Sequence, residues 1–378
     1  MGINKYLDIS DIHVGHPKVD TELIHNNFVQ YVYPYLNDDL DVMFICGDFF
    51  NSLLDMNGRS GYFAAKIIAE LKALAKVHNF IIRVLRGTFT HDRYQNQHFV
   101  VEQNSSDVVA VISKLYIEHI SHLGIDVLYI PGDLPYDSRQ TLFDDIKKLL
   151  AQNNIDKVDL ILHHGYLEHL LPKKVLTDHR VFLSNLMFKS LAKVAVLNGH
   201  VHTPSVYENF FISTGSFERL GHGEEEKKGF FLLEHDTEKN KCNYQFIENK
   251  GATLFKTIDL TNYSDDRAIE YFKFKLESIM SSFPDTSRRI YVRAFITNHI
   301  LKQVLTQYVK EKYPNVIMSY EKISIKEEID IRTNIDELPV ITEDNIVEKT
   351  KAYIEHTKNI SIPLAELIEV FNEIKEFR

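Results

Sequence analysis

The chain has 378 residues, of which 44% are hydrophobic and 25% charged, and it carries a formal net charge of −10. That length exceeds one core of typical size and points to roughly two or three domains, while the acidic balance excludes wholesale adhesion to nucleic acid without excluding a local basic groove. No apolar run approaches the roughly 20 residues of a membrane span; Cys46 and Cys242 make no disulfide framework, and "MGINKYLDISD" has no basic region ahead of an apolar core, so a reducing cytoplasm and no secretion signal are expected.

From residue 1 to about 235, apolar runs alternate with amphipathic stretches, the pattern of a layered α/β domain. The strand candidates are "KYLDIS", "DVMFIC", "FIIRVL", "VLYI", "LILHH" and "VAVLNG". Between the second and third, Ala64, Ile67, Ile68, Leu71, Leu74 and Ala75 recur at helical spacing and predict a helix covering one sheet face. "FFISTGSF" and "GFFLLEH" add strands that, separated by a polar loop, are expected to be antiparallel neighbours, so the sheets should be mixed. From about 260 a helix at 265–282, the strand "RIYVRAFI", a helix at 298–312 and the strand "VIMSYEKI" form a small α/β appendage. Beyond a polar link around "RTNIDELPVITEDN" come two helical stretches, the second opening at Pro363 with Leu364, Leu367, Ile368, Phe371 and Ile374 on one face.

Five strand exits carry acidic or imidazole groups: Asp11 and His13 in "DIHVGH", Asp48 in "ICGDFFN", His91 and Asp92 in "RGTFTHDR", His163 in "LILHHG", and His200 with His202 in "NGHVHT". Each alone reads as a hydrogen-bonded loop residue. Together they stand at carboxyl ends of strands, which in open α/β sheets face a common crevice. Aspartate and histidine without thiolate suit manganese, iron or zinc. The ligand count fits two ions roughly 3.5–4 Å apart, which activate water and neutralise a phosphate under attack. Asp48 is the candidate bridge, because a carboxylate has two oxygens and a neutral imidazole one free lone pair. His16 and His164 lie beside these motifs and are read as loop residues or supports of the ligands.

The ordered motifs D-x-H, G-D, H-D, H-x-G and G-H-x-H resemble those of the calcineurin-like metallophosphoesterases over roughly residues 5–215, and "STGSFERLGHGEEEKKGFFLLE" resembles the segment that closes the catalytic domain of SbcD-type DNA double-strand-break repair nucleases. The resemblance implies a four-layer α/β sandwich of mixed sheets flanked by helices over 1–258, a small α/β DNA-binding capping domain over 259–330, and C-terminal helices over 331–378 that bind an SbcC-like coiled-coil ATPase. It further implies a homodimer with double-strand exonuclease and single-strand endonuclease activity, in a bacterial or phage-infected cell. Carried over by motif, Asp11, His13 and His202 would hold one manganese, His163 and His200 the other, and Asp48 would bridge them. His91 would act on the scissile phosphate or leaving oxygen, with Asp92 orienting it.

The family motif has asparagine directly before that histidine, as a ligand to the second metal. This chain reads Gly87-Thr88-Phe89-Thr90-His91-Asp92, two residues longer and without asparagine. Thr88, Thr90, a water or His91 itself are the alternatives for the missing ligand, and weaker binding at the second site is expected. The competing functions are another phosphoesterase, such as a protein phosphatase or cyclic-nucleotide phosphodiesterase, and a scaffold subunit with weakened chemistry. If the stripe from Leu364 to Ile374 grips the ATPase, Leu367→Asp with Phe371→Asp should abolish co-purification with it while leaving metal content unchanged.

Overall fold

A computed structural model describes residues 2–100, 108–171, 182–283 and 289–322. Strands β1 (Ile3–Ile9), β2 (Val42–Cys46), β3 (Ile81–Leu85) and β4 (Val109–Ile112) open a first sheet. The chain then builds a second from β5 (Tyr116–Ile120), β6 (Ile125–Ile130), β7 (Val158–His164), β8 (Ala192–Gly199), β9 (Ser205–Tyr207) and β10 (Phe211–Ser213). It returns to the first with β11 (Gly229–Asp236) and β12 (Lys241–Glu248). The orders are β12-β11-β1-β2-β3-β4 and β5-β6-β7-β8-β10-β9. In each sheet the central pairings are parallel and antiparallel strands lie at the edge, so the protein is α/β with mixed sheets.

Alternation along the strands explains the layering. On β2, Val42, Phe44 and Cys46 face a core shared with Val127, Tyr129, Leu160 and Leu162 of the second sheet. Met43 and Ile45 point the other way, onto Ile67 and Leu71. Strands buried on both faces must be apolar throughout, hence "DVMFIC". The helix α2 (Arg59–His78) covers the outer face of the first sheet together with α1 (Thr21–Asn27), and its span is the one its apolar spacing predicts. Across the molecule, α3 (Arg139–Gln152) and α4 (Asn185–Leu191) pack Ile146, Leu150, Phe188 and Leu191 onto Leu128, Ile161 and Val196. The result is helices, sheet, sheet, helices.

The appendage is a parallel three-stranded sheet of β13 (Leu254–Asp259), β14 (Ile290–Ile296) and β15 (Val316–Lys322), covered by α5 (Asp265–Ser282) and α6 (His299–Lys312) around its own apolar cluster. Its first strand begins at Leu254, where β13 pairs with β14. One expectation is corrected: β10 and β11 are not neighbours. β10 pairs with β8 and β9, and β11 pairs with β1 and β12, so residues 214–228 cross from one sheet to the other. No helix among the described residues is long and apolar enough to cross a membrane. The expected terminal helices, including the stripe at Leu364–Ile374, lie outside the described residues.

Phe44 is fully buried between the sheets. Phe44→Ala should lower the unfolding free energy by about 3–5 kcal/mol, seen as a lower urea midpoint by circular dichroism with an unchanged slope.

Candidate metal centre

The exits of β1, β2 and β3 in one sheet and of β7 and β8 in the other meet at one end of the sandwich. The loops after β1 and β2 run side by side, with Asp11 N–H donating to Gly47 O (3.1 Å), His13 N–H to Asp48 O (3.1 Å) and Val14 N–H to Phe49 O (2.8 Å). Asp11, His13, Asp48 and His200 all take positive φ, at 48°, 52°, 50° and 83°. For non-glycine residues such backbone costs roughly 1–3 kcal/mol each and persists where the surroundings impose it, commonly at functional sites.

Two groups of ligand atoms result. In the first, Asp11 Oδ1 lies 3.9 Å from His13 Nε2 and 3.7 Å from His202 Nε2, and the two Nε2 atoms are 3.3 Å apart. His202 Nδ1 faces Glu224 Oε1 at 2.9 Å. A carboxylate only accepts, so Nδ1 carries the hydrogen and Nε2 turns its lone pair toward the cluster. Asp11 Oδ1 is buried and without a hydrogen-bond partner among the described residues. Three candidate ligand atoms therefore converge; a hydrogen on His13 Nε2 can bridge the two imidazoles, and a cation there would be met by all three atoms.

The second group is Asp48, His164 and His200. His164 Nδ1–H donates to Cys46 O (2.7 Å), and Nε2 lies 3.3 Å from Asp48 Oδ2. Burial alone would lower the His164 pKa, but Asp48 and Asp11 hold it up to about 10 in the absence of metal. Burial also pushes the Asp48 carboxyl up, and the charges of His164, His13 and His91 outweigh it, holding it well below the usual range. A proton or a cation can occupy the space between Asp48 and His164. Burial and the neighbouring His164 charge depress His200 to about 4, leaving it a neutral lone-pair donor. The groups are joined where His200 N–H donates to Asp11 Oδ2 at 2.9 Å. Close approach needs glycine twice. A Cβ on Gly47 (φ +89°) would sit 2.2 Å from His164 Nδ1, and one on Gly87 would sit 2.1 Å from Asp48 Oδ1.

Five of the six expected ligands, Asp11, His13, Asp48, His200 and His202, fall in these groups. His163 does not, and His164 stands in its place. On β7 the side chains alternate. His164 shares the inter-sheet face with Leu160 and Leu162, whereas His163 points to the helical side, against Phe188, with Nδ1 2.6 Å from Asn198 Oδ1. Burial takes His163 down to about 3, as befits a neutral core histidine.

Asp92 is also corrected. It does not touch the His91 ring; its carboxylate accepts from Asp48 N (3.1 Å), Phe50 N (3.1 Å) and Gly87 N (2.7 Å), tying the β2 and β3 exits together. Burial, then the Asp48 charge, raises it to about 6. His91 is held instead through Nδ1 by the Asn51 carbonyl and packs edge-on against His13, with ring centroids 4.7 Å apart. Of the alternatives for the missing asparagine, Thr88 and His91 both stand beside the centre, Thr88 Oγ1 at 3.1 and 3.3 Å from the Asp48 oxygens and His91 against His13, while Thr90 Oγ1 lies behind at 3.5 Å from Thr88 Oγ1.

Two supports were not visible as motifs. Glu224 orients His202 and is braced by Lys228, whose buried Nζ lies 3.0 Å away and donates to His202 O at 2.9 Å. Asp133, at the β6 exit, accepts from Phe89 N at 2.7 Å and pins the long loop. Manganese titration by calorimetry should show two unequal binding events. His164→Asn should remove the weaker one, and His163→Asn should leave both, with metal analysis of the desalted proteins as the check.

No family model matches the chain, and no curated protein matches it. Among solved structures it is similar to GAP50, the anchor in the inner membrane complex of Plasmodium, at 12% identity and a TM-score of 0.39, over 72% of this chain and 95% of that one. It is also similar to the glutamine-dependent NAD+ synthetase from Acinetobacter baumannii in complex with ADP, at 12% identity and a TM-score of 0.33, over 97% of this chain and 70% of that one. Likenesses this slight carry no argument about fold family or function.

Proposed function

We propose that the chain is an SbcD-type DNA nuclease subunit, a metal-dependent phosphodiesterase on a four-layer metallophosphoesterase sandwich. The observation that carries the reading is the pair of adjoining groups, Asp11/His13/His202 and Asp48/His164/His200, at one end of two facing sheets. Each would hold one divalent ion, manganese by the family resemblance, with Asp48 between them and Thr88 Oγ1 beside it. Ions held there would supply a water made nucleophilic at neutral pH and neutralise charge on the phosphate. His91, fixed through Nδ1, keeps Nε2 to protonate the departing oxygen. The parallel appendage is the proposed DNA-binding cap, and an SbcC-like ATPase and a second copy of the chain are the proposed partners.

Linear duplex DNA with manganese tests the reading against the alternatives: a nuclease degrades it, whereas a phosphatase or a scaffold leaves it whole. Asp48→Asn should lose both metal and activity. His91→Ala should keep the metal content of the wild type and cleave about 10²–10⁴-fold more slowly.

A further inference from the structure

The lengthened loop builds more than a substitute ligand. Its Phe89 is 44% exposed and meets Tyr94, 71% exposed, edge to face at 5.4 Å. The loop is not loose: Thr88 N–H donates to Asp48 Oδ1 (2.7 Å), Phe89 N–H to Asp133 Oδ2 (2.7 Å), and the His91 and Asp92 amides to Thr88 O (3.1 and 3.0 Å). Beside it opens a cavity of about 440 Å³, within the usual range for small-molecule sites, lined by Arg86, Arg93, Tyr94, Asn96, Gln97 and Ser113 among others. Arg86 immediately precedes the loop and Arg93 follows Asp92. Arg86 fixes one end of its guanidinium on Gly132 O (2.7 Å), while its Nε is buried with no hydrogen-bond partner among the described residues. Asn96 is 2% exposed, and its Oδ1 likewise has no partner.

We infer that this cavity takes one nucleotide unit of an unpaired strand, its base stacked on Tyr94 and its phosphate between Arg86 and Arg93. The choice of a strand rests on the nuclease reading; the pocket chemistry stands on its own. Guanidinium groups match phosphate oxygens, and an exposed aromatic ring held rigid by its neighbours stacks on any base without sequence preference.

The test is calorimetric titration of the full chain with 2′-deoxyadenosine 5′-monophosphate, in chelator so that the metal centre does not contribute. Saturable binding is expected, with Tyr94→Ala and Arg93→Gln each weakening it about tenfold at unchanged melting temperature, and a short oligothymidylate should compete. The inference is overturned if the nucleotide does not bind, if Tyr94→Ala binds it as the wild type does, if inorganic phosphate displaces it as effectively as the nucleotide itself, or if the oligothymidylate fails to compete. Hydrolysis of bis(p-nitrophenyl) phosphate by the wild type with manganese is followed in parallel. Turnover without nucleotide binding sinks the pocket alone, and nucleotide binding without turnover sinks the nuclease reading alone.

Discussion

The structure is organised around an electrostatic conflict. Asp11 Oδ1, His13 Nε2 and His202 Nε2 crowd together away from water, and Asp48 faces a His164 that its charge keeps protonated. Acceptors removed from water repel unless positive charge is placed among them, so a cation or a proton at these strand ends would relieve the crowding.

The scaffold bears local costs to maintain that crowding. Left-handed backbone at Asp11, His13, Asp48 and His200, and glycines where a Cβ would collide with His164 or Asp48, are conformations that a sequence optimised only for stability would avoid. Asp92 shows how they are held. A single buried carboxylate gathers three amides from two loops, which fixes Asp48 relative to Gly87 and Thr88.

Much of this was legible in the residues. The apolar runs gave the central strands, helical spacing gave α2, α5 and α6, and the strand-exit motifs gave five of the six clustered side chains, because carboxyl ends of parallel strands converge whatever their separation in sequence. The choice between His163 and His164 was also open to reading, since period-two alternation places His164 with Leu160 and Leu162. The H-x-G motif singles out the first histidine of the pair, whereas the face singles out the second. The pairing of β10 and β11 was not legible, because a polar loop marks a reversal without naming the partner strand. Nor were Glu224 and Asp133, whose roles depend on backbone brought together from separate segments.

The crossover at residues 214–228 has a wider meaning. Glu218, buried, accepts from Thr253 N, Asn27 and Asn249, and Glu225 accepts from Lys256 Nζ and Thr257 N at the start of the small domain. Glu224, its immediate neighbour, grips His202. Adjacent side chains on one short stretch of chain thus anchor the appendage and aim an imidazole. The seating of one domain and the bite of the other share a hinge pin, and neither can be redesigned independently.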